Sequence, residues 1–214
     1  MAVGTASDTG STRVAIVAVV TVNASVDTLF TFTVNSVAGG TLVNTADTTG
    51  GATTATTIPF GQLDAGTAST AAQSLVVSTN ATNGFVVTVQ ADQQLSSPIG
   101  ADIDGFIDGA YTTTPTTWAA PSATAGQENE YGHWGLSSSD TTLTGGLSNL
   151  YSGGDLFVSA SSTPVEVFRH NGPANGTGAG VGTANVIYKV QMSALQEAAN
   201  DYTATLTYVA TPVF

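Results

Sequence analysis

The stretch Tyr202-Thr-Ala-Thr-Leu-Thr-Tyr208 decides the fold class, because apolar residues and threonines alternate along it without a break. An alternation with a period of two places apolar side chains on one face of a β-strand and polar side chains on the other. The same period runs through residues 30–34, 85–90 and 186–192, with shorter strand candidates at residues 75–78, 156–159 and 165–168. No segment of helical length has a 3.6-residue apolar repeat. These patterns predict an all-β fold, an antiparallel β-sandwich of jelly-roll type.

The composition limits the classes of partner. Charged residues make up 8% of the 214 residues, whereas about 25% is typical of soluble domains. The net charge is −12, with three basic residues in all, which excludes nucleic-acid binding and binding to anionic membrane surfaces. A surface of uncharged polar residues is common in secreted and cell-surface β proteins. We therefore expect secretion to the cell surface, after removal of an export signal that preceded Met1.

The N-terminal run Val14-Ala-Ile-Val-Ala-Val-Val-Thr-Val22 is apolar on both faces of the strand that it predicts. It is too short for a membrane-spanning helix, which needs about twenty residues, and its β-branched residues favour a strand. A strand that is apolar on both faces must be buried on both faces. We predict a donor strand that pairs with a neighbouring subunit. Its interface residues are Val14, Ile16, Val20 and Val22 on one face and Val17 and Val19 on the other.

The chain divides into two regions. Residues 1–24 form the N-terminal tail with the candidate donor strand, and residues 25–214 form the sandwich domain. The segment from about residue 95 to residue 150 is rich in Gly, Pro, Ser and Thr, and we expect it to be an irregular insertion. Trp118 and Trp134 are expected to pin this insertion onto the sandwich.

Three aspartates form the best candidate metal site. Asp102, Asp104 and Asp108 surround a glycine at position 105, and oxygen ligands two residues apart before a tight turn suit Ca²⁺. The glutamate that would close an EF-hand loop is missing. The alternative interpretation is a solvated loop in which the aspartates cap turns.

Aromatic residues in the insertion suggest a second kind of site. Trp118, Tyr131 and Trp134 could stack on sugar rings, as in a glycan-binding module. Glu128 and Glu130 lie beside them, and paired carboxylates near aromatic residues also occur in glycosidase clefts. The sequence has no nucleophile-elbow, phosphate-loop or dinucleotide motif. We therefore predict that the protein is not an enzyme and requires no cofactor.

More than half of the chain resembles secreted β-sandwich proteins of bacterial surfaces whose function is uncharacterised. The resemblance lies in residues 78–89, Trp118 with Pro121, residues 131–140, residues 188–192 and residues 201–214. At the level of architecture, the chain is also similar to the jelly-roll subunits of TasA-type filaments and archaeal bundling pili. That similarity implies polymerisation by donation of an N-terminal strand to the next subunit.

Two hypotheses of function follow. In the first, the chain is a structural subunit of an extracellular filament or surface assembly, and its partner is a second copy of itself. In the second, it is a cell-surface binding module, an adhesin or carbohydrate-binding sandwich whose loops are ordered by calcium. Buried tryptophans and a detached N-terminal strand would favour the filament, and a row of exposed aromatic rings would favour the binding module.

Overall fold

The computed structural model describes residues 1, 3–5, 10–11, 13–15, 20–140, 143, 150–152 and 155–214. No helix among these residues is long and apolar enough to cross a membrane. The strands are β1 (Phe30–Ser36), β2 (Ser69–Thr79), β3 (Phe85–Ala91), β4 (Leu95–Ser96), β5 (Asp102–Gly105), β6 (Thr116–Thr117), β7 (Gly132–Ser138), β8 (Leu156–Ser159), β9 (Val165–His170), β10 (Ala174–Asn175), β11 (Thr183–Met192) and β12 (Leu206–Pro212), and Glu128–Glu130 form a short 3-10 helix.

The strands form two sheets. The large sheet has the order β1-β2-β11-β7-β5-β4, with β10 added to β2, β8 to β7 and β6 to β8. The small sheet has the order β12-β3-β9. The pairs are antiparallel except β5 with β7, which run parallel. The prediction of an all-β sandwich is confirmed.

The main core lies between the two sheets and follows from the alternation of the strands. Phe85 of β3 and Phe168 of β9 meet edge to face with ring centroids 4.8 Å apart. Leu75 of β2, Leu136 of β7 and Tyr188 of β11 are fully buried in the same cluster. The apolar sets of these strands therefore face the core, as the period of two predicts.

The large sheet is also covered on its other face. Val43, Phe106, Phe157 and Ile187 form a second buried cluster, and Trp118 packs against it. Ile187 lies next to core residues of β11, so its side chain points to the opposite face of the sheet. Loops from the β1–β2 connection and from the segment after β5 cover this face. The central strands of the large sheet are consequently buried on both sides.

Two boundaries differ from the sequence prediction. The strand predicted to begin at Tyr202 begins at Leu206, and Thr203 makes only an isolated bridge to Ser96. The stretch predicted to be irregular contains β7, a strand in the middle of the large sheet whose residues are all buried. Only Trp134 and Leu136 of β7 face the main core, and because the other face is covered too, His133 and Ser137 beside them are buried as well. The close packing of β7 against β8 also requires a glycine at position 135, because a Cβ there would lie 2.6 Å from the Val158 carbonyl oxygen.

Candidate functional site

The edge of the small sheet is incompletely covered. In the middle strand β3, the core-facing side chains of Phe85, Val87 and Val89 are fully buried. In its neighbour β12, the core-facing side chains of Leu206 and Tyr208 are only half-buried. No described strand other than β3 pairs with β12. The outer edge of β12 therefore presents free backbone groups beside a half-covered apolar face.

The large sheet has a similar edge opposite β12. In β1, Phe30, Phe32 and Val34 are half-buried and pack against the main core. The rings of Phe32 and Tyr208 lie with centroids 6.3 Å apart at an angle of 57°. Among the described strands, β1 pairs with β2 alone. We call the facing edges of β1 and β12 the open seam, and no described strand pairs with the outer edge of either.

A cavity of about 1200 Å³ borders the open seam. It lies between the inner face of the large sheet and the beginning of β12, where Leu206 and Tyr208 line both the cavity and the seam. Residues 55–63 and 196–205 form its sides. Its apolar lining also includes Ile58, Phe60, Leu63, Leu95, Ile103 and Trp134.

A buried chain of hydrogen bonds connects the two sheets at this cavity. The hydroxyl oxygens of Tyr188 and Tyr208 are 2.7 Å apart, and the Tyr208 hydroxyl donates to Gln73 Oε1 over 3.0 Å. Burial raises the pKa of both tyrosine hydroxyls, so both stay neutral. Two other buried polar atoms at the cavity, Trp134 Nε1 and Gln196 Oε1, have no hydrogen-bond partner among the described residues. An entering polar group would satisfy them.

The described part of the N-terminal run is not buried against the sandwich. Val14, Val20 and Val22 are 81%, 78% and 87% exposed. Ile16, Val17 and Val19, which were predicted to share this interface, lie outside the described residues. The side chains of Thr79 and Asn80 fix the point where the tail joins the sandwich, and the Thr79 hydroxyl donates to the Leu29 carbonyl oxygen over 3.0 Å. Asn80 makes two further hydrogen bonds. It accepts a hydrogen bond from the Leu29 amide over 2.8 Å and donates to the Asp27 carbonyl over 2.7 Å.

The three aspartates predicted to bind calcium have separate partners. Asp102 accepts a hydrogen bond from the Gln94 side chain over 2.8 Å, and Asp108 Oδ1 lies 3.0 Å from His133 Nδ1. Asp104 is buried, and burial together with the charge of Asp102 raises its pKa to about 6. Within the described part of the chain, no group of three or more acidic, histidine or cysteine side chains is arranged to hold a metal ion. Calcium binding stays a prediction.

The aromatic residues predicted to contact glycans do not form an exposed row. Trp134 and Tyr131 are buried, and the Tyr131 hydroxyl accepts a hydrogen bond from the Gly126 amide. Trp118 is half-buried, stacks on Phe106 with centroids 4.6 Å apart, and donates its indole N–H to Gln191 Oε1 over 2.7 Å. Trp118 packs against the outer face of the large sheet, whereas Trp134 belongs to the main core between the two sheets. Their burial does not favour a glycan platform.

Sequence reasoning identified the strands that form the open seam but not the seam itself. The alternating sequences of β1 and β12 predicted one apolar face for each strand. Such a pattern does not show how completely other segments cover that face. The alternation of residues 186–192 places Lys189 on the face of β11 opposite the main core, and it gives no sign of the partners of this side chain. The available signal was that Lys189 is the only lysine in the sequence and stands inside an apolar strand.

Comparisons with models of protein families, with curated proteins and with solved structures find no match. The functional proposal therefore rests on the geometry of the open seam and on the sequence of the tail.

Proposed function

We propose that this chain is a structural subunit that polymerises head to tail in an extracellular filament or surface assembly. Residues 14–22 of one subunit insert into the open seam of the next and pair with the free edge of β12. The observation that carries this proposal is the half-buried state of Leu206 and Tyr208 on β12 and of Phe32 on β1. An apolar face at a sheet edge is stabilised when another strand covers it.

Residues 14–22 have both kinds of group that could cover the open seam, main-chain hydrogen-bonding groups and apolar side chains. Main-chain N–H and C=O groups of the run would pair with β12, and its two apolar faces would fit between the sheets. An inserted strand that buries roughly 600 Å² of apolar area contributes about 15 kcal/mol before losses of entropy. Because donor run and seam are different surfaces, the contact does not close on itself and continues as a fibre.

Self-insertion is the competing arrangement for the same contact. The residues between Val22 and Phe30 are enough to span roughly 25 Å when extended, so the run could in principle return to the seam of its own subunit. The exposure of Val20 and Val22 in the single chain favours donation to another subunit. A solution experiment separates the two arrangements.

The experiment is negative-stain electron microscopy of the full chain and of the double variant Ile16→Asp, Val20→Asp. We expect filaments from the unchanged chain and only monomers from the variant, because a buried carboxylate opposes insertion. The matched control is Val26→Asp, since Val26 is as exposed as Val20 and lies outside the run. This control should still polymerise.

Thermal unfolding of the same three proteins completes the test. Under the proposal, the thermal midpoint of the monomeric double variant equals that of unchanged subunits after dissociation, because the run is not part of the core of its own subunit. Monodisperse particles from the unchanged chain, together with a destabilised double variant, would mean self-insertion and would contradict the proposal. Filaments that survive the double substitution would also contradict it.

A further inference from the structure

The outer face of the large sheet contains a buried lysine between two aspartates. Lys189 of β11 is the only lysine in the sequence, and its side chain is 8% exposed. Its ammonium group forms ion pairs with Asp47, which is 4% exposed, and with Asp155, which is 39% exposed. One positive and two negative groups therefore share a site that is largely closed to water.

Aromatic rings surround the lysine amine. Lys189 Nζ lies 4.5 Å from the ring centroid of Phe157 and 5.4 Å from that of Trp118. The hydrogen bond of the Trp118 indole to Gln191 fixes this ring in place. Apolar surroundings make charges costly and strengthen the drive to neutralise them. Removal of one positive and one negative charge would relieve that cost.

The carboxyl group of Asp47 is held in a defined orientation. Its Oδ1 faces Lys189 Nζ, and its Oδ2 accepts a hydrogen bond of 2.6 Å from Asn44 Nδ2. The Asp47 amide in turn donates to Asn44 Oδ1 over 2.6 Å. An amide donor on the oxygen that does not face the amine polarises the carboxyl carbon and stabilises an oxyanion. The amine, the carboxyl carbon and a proton carrier are thus already assembled.

We propose that Lys189 and Asp47 condense into an intramolecular amide bond, with Asp155 moving the protons. Asp155 accepts a proton from the Lys189 ammonium and passes it to Oδ1 of Asp47. The neutral Nζ attacks the Asp47 carboxyl carbon, and the oxyanion on Oδ2 is stabilised by Asn44. A second proton moves from nitrogen through Asp155 to the leaving oxygen.

The step balances without an oxidant or co-reactant. The N–C bond forms, the C–O bond breaks, one water molecule leaves, and Asp155 returns to its starting carboxylate. Asp155 is the more exposed of the two acids, which gives the water a route to solvent. The bond would join the β1–β2 connection to the central strand β11. A chain without cysteine would thereby gain a covalent cross-link.

The first measurement is the mass of the full chain after denaturation, compared with that of Lys189→Arg. We expect the unchanged chain to be lighter than its sequence by one water molecule, and the arginine variant to have its full sequence mass. A full sequence mass for the unchanged chain would overturn the proposal. An equal mass deficit in the arginine variant would place the lost water elsewhere and overturn it as well.

Digestion of the denatured protein after glutamate locates the bond. Cleavage separates residues 1–128, which contain Asp47, from residues 167–197, which contain Lys189. We expect these two fragments to remain joined and the lysine to resist an amine-reactive label. Separate fragments with a labelled lysine would refute the bond even if a variant failed to fold.

The same digest tests which aspartate reacts. Residues 131–166 contain Asp155 and should be released as a free fragment. Their attachment to residues 167–197 would overturn the assignment of Asp47. The variant Asp155→Ala should keep its full sequence mass for much longer after purification than the unchanged chain, because it lacks the proton carrier. Equally fast loss of water in this variant would overturn the role given to Asp155.

Discussion

Asp104 should make the stability of the sandwich fall as the pH rises. The side chain is 6% exposed, and burial, followed by the charge of Asp102, raises its pKa from 3.8 to about 6. The folded state therefore binds more protons than the unfolded state between these pH values. The stabilisation is complete below the unfolded pKa and is lost as the pH rises through the folded pKa. A shift of about two units corresponds to about 3 kcal/mol as an upper limit.

Urea denaturation of the unchanged chain and Asp104→Asn at pH 4 and pH 8 measures this effect. We expect similar stabilities at pH 4 and a more stable variant at pH 8, with its midpoint higher by up to about 1 M urea. Burial lowers the pKa of His133, so this residue destabilises the fold as the pH falls. Both proteins contain His133, so its effect cancels in the difference between their stabilities. The control Asp102→Asn should recover a smaller part of the stability that is lost at pH 8, because the charge of Asp102 is only the second cause of the raised pKa of Asp104. A variant no more stable than the unchanged chain at pH 8 would refute the reasoning.

Three further predictions test the turn, the buried hydroxyl chain and the aspartates. Gly84→Ala should destabilise the sandwich by several kcal/mol in urea unfolding, because Gly84 has a φ of 76° and a Cβ there would meet the His170 carbonyl oxygen at 1.8 Å. Tyr208→Phe should cost about 1–3 kcal/mol in the same assay, since it leaves the buried Tyr188 hydroxyl without its acceptor. Calcium at millimolar concentration should raise the thermal midpoint of the unchanged chain at pH 8 but not that of Asp104→Asn; equal midpoints with and without calcium would argue against the site.

The strands with one covered face were predictable from sequence. Residues 30–34 and 85–90 alternate because one face of each strand lies on the core, and they appear in β1 and β3. The segment Leu156–Ser159 was also predicted with the bounds that β8 has, although Phe157 and Val158 lie on opposite, buried faces of this strand. In β1 and β3, the face that is apolar in the sequence is also the face that lies on the core. A few residues are therefore sufficient to predict the strand.

The remaining features depend on contacts between distant segments. The apolar signal of β7 is short, since only Trp134 and Leu136 face the main core. Loops cover its outer face, and its buried polar side chains are placed by partners in other segments of the chain. His133, for example, lies with Nε2 2.9 Å from the Ala119 carbonyl oxygen and Nδ1 near Asp108. Asp47 and Lys189 are likewise separated by most of the chain. Proximity of this kind follows from topology, which a single sequence does not specify.

The proposed donor-strand contact and the proposed amide bond lie on opposite faces of the large sheet. Tyr188 and Val190 of β11 face the main core, and Lys189 between them faces the outer cluster. A substitution of Val20 therefore acts on assembly without reaching the lysine, and Lys189→Arg leaves the seam intact. Filaments from Lys189→Arg and a water-deficient monomer from the double variant are both expected. The two proposals can thus fail separately, and each failure can be attributed to its own face of the sheet.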